Sequence, residues 1–212
     1  MKFKKFFFLI FFLFLLSCEK ESTDTNKTSE ELNIDETKSL PQFKIDTSNK
    51  TIVDEPKIPA LMDLYIDGEL NKSYNIGIEI RGSSSQFFEK KSYGVETWDG
   101  NNEDIDTDLG GFPEEEDWIL YGPFSDKSLI RNVLIFQLSN AIGMYGSRTD
   151  FYELTINDKF LGTYVLMEKI KRDKNRVNIS KNLDDDISGG YIIKIDKPPD
   201  EGYTSANSFS SK

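Results

Sequence analysis

The chain has 212 residues, 37 Asp and Glu against 26 Lys and Arg, and a formal net charge of −11. That balance is a poor match for nucleic acid or anionic lipid headgroups, both of which need basic patches, so no nucleic-acid partner is expected. It contains no histidine and one cysteine, Cys18, which removes Ser-His-Asp and Cys-His catalysis, His-zinc sites, internal disulfides and Cys-based metal sites.

Met1 to Cys18 reads as an export signal. Lys2, Lys4 and Lys5 precede an unbroken apolar run, Phe6 to Leu16. A helix of about eleven residues rises only about 16 Å, too short for a hydrocarbon core about 30 Å thick. The run ends in Leu15-Leu16-Ser17-Cys18, a bulky residue at −3 and a small one at −1 before cysteine, which is the pattern of a bacterial lipobox. Residues 1–17 are therefore expected to be a lipoprotein signal peptide. The Cys18 thiol then carries diacylglycerol and its amine a further acyl chain, a multi-chain anchor that holds where a single chain is marginal. The expected location is a bacterial membrane, facing outside the cytoplasm.

Residues 18–50 are rich in Ser, Thr, Asn, Asp, Glu and Lys. They carry too little apolar surface to offset their ordering entropy and read as a flexible tether. The domain is expected over 51–212. Ala60 to Ile66 predicts a strand, with Asp67-Gly68 as a turn. Ile76, Ile78 and Ile80 alternate as in a half-buried strand. It stops at the small-residue loop Arg81-Gly82-Ser83-Ser84-Ser85, and Ser92 to Thr97 predicts its return.

Asn101 to Glu116 is an acidic insertion. Asp104, Asp106 and Asp108 have the alternate spacing of a calcium loop, with Glu115 at the twelfth position. The sixth position is Leu109, where an EF-hand needs Gly, so a solvated loop is the expectation and no metal site is assigned.

Asp117 to Tyr121 predicts a short strand. Ser125 or Asp126 then caps a helix with Ile130, Val133, Leu134, Leu138 and Ala141 at 3–4 spacing and Gly143 as its stop. Tyr152 to Ile156 and Phe160 to Met167, joined by Asn157-Asp158-Lys159, predict a β-hairpin. Gly189-Gly190 introduces a last predicted strand, Tyr191 to Ile195. The fold class is α+β, a mostly antiparallel sheet with at least one packed helix.

Several segments recur in one order: Ile80-Arg81-Gly82-Ser83-Ser84-Ser85, Lys90-Lys91-Ser92-Tyr93, Asp117-Trp118-Ile119-Leu120, and Asp126-Lys127-Ser128-Leu129-Ile130-Arg131-Asn132. Then come Phe160-Leu161-Gly162-Thr163-Tyr164, Met167-Glu168-Lys169-Ile170, Asn175-Arg176-Val177 and Gly189-Gly190-Tyr191. This series resembles the CotH kinase family of spore-coat-type atypical protein kinases. The resemblance implies the small lobe of a divergent protein-kinase-like fold, and ATP-dependent phosphorylation of Ser or Thr on exported or surface proteins, with ATP and Mg or Mn as cofactors.

Under that resemblance Gly82, Ser83, Ser84 and Ser85 are the phosphate-facing loop, since backbone N–H groups and hydroxyls of small residues approach phosphates closely. Lys91, with Lys90 the alternative, would pair with the phosphates as a point charge. The predicted helix carries no Glu to hold that lysine, and Glu168, at the expected hand-over to a hinge, is nominated for the nucleotide site. The resemblance puts the catalytic and metal-binding acids beyond the Gly189-Gly190-Tyr191 strand, past Lys212. The 212-residue chain is then expected to be a truncated, inactive N-terminal portion. The alternative is a non-catalytic surface binding or adhesion lipoprotein using the same fold.

Overall fold

Period-two alternation of large apolar residues builds the core. The computed structural model describes residues 39–183 and 188–194, all within one unit, Lys38–Lys212. The signal segment, Cys18 and the first part of the tether lie outside the described residues. The strands are β1 (Gln42–Asp46), β2 (Ile58–Ile66), β3 (Glu69–Arg81), β4 (Ser92–Trp98), β5 (Thr107–Leu109), β6 (Phe112–Glu115), β7 (Asp117–Tyr121), β8 (Thr149–Ile156) and β9 (Lys159–Glu168), and the α-helix is α1 (Arg131–Ala141).

Seven strands close into a barrel in the order β1-β2-β3-β4-β7-β9-β8. Every neighbouring pair is antiparallel except β1 and β8, which run parallel with Phe43 opposite Leu154. Inward residues from all seven strands fill the interior, among them Phe43, Met62, Ile76, Ile78, Val95, Trp118, Leu154, Tyr164 and Leu166. Interior positions of small barrels are filled by side chains in this way. β5 and β6 form a separate two-stranded hairpin. The fold is α+β, a mostly antiparallel sheet with one helix among the described residues. No helix among them is long and apolar enough to cross a membrane.

Two expectations change. The tether assigned through residue 50 contains β1, a barrel strand. The segment's composition is polar, but its two large apolar residues, Phe43 and Ile45, both point inward, and a five-residue strand needs no more than that. Phe43 stacks on Tyr152 at 4.3 Å. Beyond it, the Thr47 amide donates to the Asn157 side-chain carbonyl and the Asn157 amide to the Ile45 carbonyl, both at 2.9 Å, which ties the end of β1 to the β8–β9 turn. The second change is the last predicted strand. Residues 191–194 are not in a strand, and Ile193 is 88% exposed. A closed barrel has no free edge for them to join.

The other predicted strands lie where the pattern put them, but α1 does not start beside Ser125 or Asp126: residues 127–130 turn first, with Leu129 at positive φ, and the helix begins at Arg131. Asp67 and Gly68 turn with positive φ between β2 and β3, and Asn157 and Asp158, both at positive φ, join β8 to β9, the backbone of a type I′ hairpin. Gly77 is required by packing: the Trp98 ring lies directly over its Cα, where a Cβ would collide. β7 is buried on both faces. Trp118 and Leu120 point into the barrel, while Ile119 points out and packs with Val165, Met167 and Val133 of α1.

The barrel assignment of β1 makes a direct prediction. Phe43→Ala is expected to cost about 3–5 kcal/mol of unfolding free energy, the range for truncating a buried aromatic, read by urea denaturation. A neutral result would return residues 42–46 to the tether.

Candidate functional site

The residues singled out from sequence divide between the two ends of the barrel. Gly82 to Ser85, Lys90 and Lys91 form the connection between β3 and β4. Gly82 has φ +114°, a backbone that L side chains rarely adopt, and its Cβ position is taken by the Ser85 hydroxyl. Glycine is therefore required there. Ser84–Phe87 form one 3-10 turn. The Gln86 amide donates to the Ser83 carbonyl at 3.0 Å, and the Gln86 side chain donates back to the Gly82 carbonyl at 2.8 Å. A cavity of about 190 Å³ opens beside this turn, lined by Arg81, Gly82, Ser85, Ser92, Gly122 and Ser125, with Phe88 and Phe124 stacked at its rim.

Lys91 does not enter that cavity: its ammonium donates to the Gln86 carbonyl and staples the turn to β4. Lys90 turns to the barrel mouth. Its ammonium donates to the Leu161 carbonyl at 2.7 Å and lies over the Tyr164 ring at 4.3 Å. Burial pushes its pKa down and pushes the pKa of Tyr93 and Tyr164 up. These two tyrosines, Lys90, Phe124 and Phe160 line a neighbouring cavity of about 270 Å³.

Glu168 is elsewhere. It pairs with Trp118, which pairs with Val95, and Lys91, just before β4, lies four residues from Val95, about 13 Å at strand rise. Its side chain, 1% exposed, accepts from the Arg148 guanidinium at 2.5 Å and the Arg148 amide at 2.9 Å. Its own amide donates to the Arg148 carbonyl at 3.2 Å. Both the backbone and the carboxylate of Glu168 are thus engaged in holding the start of β8, and neither reaches the Gly82–Ser85 turn.

Around Glu168 the structure assembles an ionic clamp that the sequence reading did not isolate. Lys171 bridges Glu115 and Glu116, each at 2.5 Å, and Asp117 at 3.2 Å. Lys169 pairs with Asp117 at 2.8 Å. Arg176, its side chain fully buried, contacts Glu115 at 3.0 Å, donates to the Lys169 carbonyl at 2.8 Å and lies over the Trp118 ring. Burial lowers the Lys171 pKa, but the three carboxylates outweigh it and raise it well above the usual lysine range. Burial pushes Glu116 up, but Lys171 and the hydrogen bond from Asp106 pull it down to about 2. Asp106, sharing that hydrogen bond, is raised, and burial raises Glu115. A basic segment and an acidic one, more than fifty residues apart in sequence, were the available signal. The acids read as a solvated run because nothing in the sequence shows that they face Lys171.

The same geometry departs from that of a calcium loop. Residues 107–115 form the β5–β6 hairpin, not a loop between helices. Asp108 pairs with Lys72 at 2.6 Å and Glu115 with Lys171 and Arg176. Asp106, Glu115 and Glu116 do converge closely enough to hold a cation, but the Lys171 ammonium already contacts two of them.

Residues 78–212, more than half of the chain, match the family model described as CotH kinase protein. The chain belongs to the CotH kinase family. The match starts inside β3 and takes in the Gly82–Ser85 turn, both lysines, α1 and the ionic clamp, whereas β1 and β2 precede it. No significant match was found among curated proteins.

The clamp predicts a pH-dependent variant. Lys171→Met leaves Asp106, Glu115, Glu116 and Asp117 facing one another and is expected to cost roughly 2–4 kcal/mol at pH 7. Glu116 has a folded pKa of about 2, below the unfolded value of about 4.3. Its contribution in the wild type is therefore present above the unfolded pKa and lost as pH falls through about 2. The variant's acids, lacking the ammonium, take up protons sooner. The deficit should accordingly shrink on acidification, and urea unfolding at pH 7 and pH 4.5 reads it. A pH-independent deficit contradicts the assignment.

Proposed function

We propose that this CotH-family chain is an exported, lipid-anchored protein whose barrel serves as the nucleotide-side lobe of a divergent kinase-like fold, with the Gly82–Ser85 turn receiving phosphate groups. The activity implied is ATP-dependent phosphorylation of Ser or Thr on exported or surface proteins. The observation that carries the reading is the turn itself. A left-handed glycine and a single 3-10 turn close over a cavity bearing the Ser85, Ser92 and Ser125 side chains and Arg81. At about 190 Å³ it is smaller than the about 300–1,000 Å³ of whole-ligand sites and suits phosphate groups. The adjoining aromatic cavity at Phe124 offers a flat apolar surface for a base.

Lys91 has a role in this reading that needs one bond exchanged. Its ammonium leaves the Gln86 carbonyl and pairs with a phosphate oxygen, a charge-assisted bond stronger than the one it replaces. Lys90 is the less suited of the two, because its ammonium is held over Tyr164 at the barrel mouth. Glu168 is a positioning residue for β8 and β9, through Arg148. The implied Mg or Mn does not fit the described residues. Their one convergent acidic group, Asp106, Glu115 and Glu116, belongs to the clamp and contacts Lys171, so no step is assigned to a metal here.

Calorimetric titration of the chain with ATP tests the site. Wild type should bind, and Lys91→Ala should weaken binding about tenfold, matching the loss of one hydrogen bond to a charged group, with Lys90→Ala affected less. Equal affinity for wild type and Lys91→Ala removes the lysine from the site. A folded chain that binds no nucleotide favours the surface-binding alternative.

The anchor is tested separately. Intact-mass analysis of the exported protein should show cleavage before Cys18 and acyl groups on it. Cys18→Ser should release the protein from the membrane fraction, and a Cys18→Ser protein that stays membrane-bound without acylation contradicts the lipobox.

A further inference from the structure

The outer wall of the barrel between β3 and β4 carries a pattern that neither the core nor the nucleotide reading uses. In two neighbouring cross-strand pairs a glycine faces a glutamate: Gly77 is opposite Glu96, and Gly94 is opposite Glu79. These positions alternate with Ile76, Ile78 and Val95, which fill the core, so both pairs lie on the outside. A glycine inside a strand has no side chain to pack and often marks a place where another group approaches the backbone closely. Here both groups are identified. A Cβ on Gly77 would lie 2.1 Å from the Trp98 ring, and one on Gly94 would lie 2.8 Å from the Glu79 carboxylate. The two glycines lower the floor of the wall and let an indole and a carboxylate lie against it.

The indole is held in place. Trp98 Nε1 donates to Glu96 Oε2 at 2.9 Å, and the Trp98 backbone bridges to Asp104. The chain before β2 supplies the facing side. The Ile80 amide donates to the Val53 carbonyl at 2.7 Å, and Ile58 pairs with Ile78, so the residues between leave β3 and rejoin it. They bring Glu55, Pro56 and Lys57 beside Glu79, Glu96 and Trp98, and the six line an open cleft of about 590 Å³. That is within the about 300–1,000 Å³ of small-molecule sites.

The polar groups indicate the class of ligand. The Lys57 ammonium stands 3.6 Å from Glu79 Oε1 and 3.7 Å from Glu96 Oε1. A hydrogen bond spans about 2.7–3.2 Å, so the three groups are gathered without using up one another's bonding capacity. A hydroxyl offers one donor and two acceptor lone pairs. It can accept from the Lys57 ammonium and donate to a glutamate at once. A cation would gain the glutamates but meet Lys57, and an anion would gain Lys57 but meet Glu55, Glu79 and Glu96. A neutral polyhydroxylated ring uses all of them and lays its C–H face on the partly exposed Trp98 indole, a side chain with an apolar body and a polar handle.

We propose that this cleft is a saccharide-binding site, with Trp98 as the stacking platform and Lys57, Glu79 and Glu96 engaging the ring hydroxyls. It shares no lining residue with the cavity at the Gly82–Ser85 turn and stands independently of the nucleotide reading.

The full chain is titrated with maltotriose, cellotriose and chitotriose, and with spermidine as the cationic competitor, by calorimetry and saturation-transfer NMR. At least one trisaccharide should bind, with saturation strongest on its ring C–H protons. Trp98→Ala should abolish binding. Glu79→Gln, at a side chain 23% exposed, should weaken it about tenfold, the loss of one hydrogen bond to a charged group, with circular dichroism unchanged. Lys57→Met gives the deciding sign: it should weaken a saccharide, which loses a donor, whereas it would strengthen a cation, which loses a like charge. Failure of all three trisaccharides to bind overturns the proposal. So does saccharide binding that survives both Trp98→Ala and Glu79→Gln. Spermidine bound more tightly than any trisaccharide, and tightened further by Lys57→Met, overturns it in favour of a cation site.

Discussion

The parallel pairing of β1 with β8 is the constraint on which the rest of this molecule depends. The other six strand contacts join antiparallel neighbours and would make an open, curled sheet. β1 alone converts that sheet into a barrel. Closure gives every inward residue a partner across the interior, so Phe43 meets Tyr152 and the core runs without a break from β1 to β9. It also abolishes edges. The exposed Tyr191-Ile192-Ile193 segment therefore has no strand of the barrel to join, although its own pattern is that of a strand.

Closure also fixes which residues can meet. Each strand of a barrel has two ends, and the chemistry of this chain is sorted between them. One end carries the Gly82–Ser85 turn, Lys91 and the phosphate-sized cavity. The other carries Glu168 and the clamp of Glu115, Glu116, Asp117, Lys169, Lys171 and Arg176. The kinase-like expectation of a lysine held by a glutamate does not map onto Lys91 and Glu168, because β4, β7 and β9 hold them at different levels of one rigid ladder. The clamp has its own consequence. Breaking a buried ionic contact leaves an uncompensated charge, so the chain leaving β9 is fixed against β7 by charge as well as by the Trp118 ring.

The outside of the barrel is as unequal as its ends. Most of the wall is polar, as the alternation requires, but β7, β8 and β9 keep apolar residues on their outer face, and α1 covers these with little more than Val133 and Phe136. The helix is apolar on the side facing away as well. The Asp126 carboxylate accepts from the Arg131 amide at the start of the element, but the barrel occupies only a narrow stripe of it.

Much of this was legible in the sequence. The hairpins β2–β3 and β8–β9 follow from alternation and from turn residues at positive φ, and β4, β7 and α1 from runs of the right period between Gly, Ser and Asp signals. The ordered series from Ile80 to Tyr191 identified the family, and a lone cysteine after a short apolar run set the expectation of a lipid anchor. These features are local: each is decided by residues within a dozen positions of one another. Tertiary structure alone decided that Phe43 and Ile45 close a barrel, that Tyr191 to Ile193 find no edge there, that Glu168 serves Arg148, and that Glu115, Glu116 and Asp117 face Lys171, with Arg176 on Glu115. Each of those is a pairing across many tens of residues. A composition or a period says which face a residue turns, but the closed ladder of strands decides what stands opposite it.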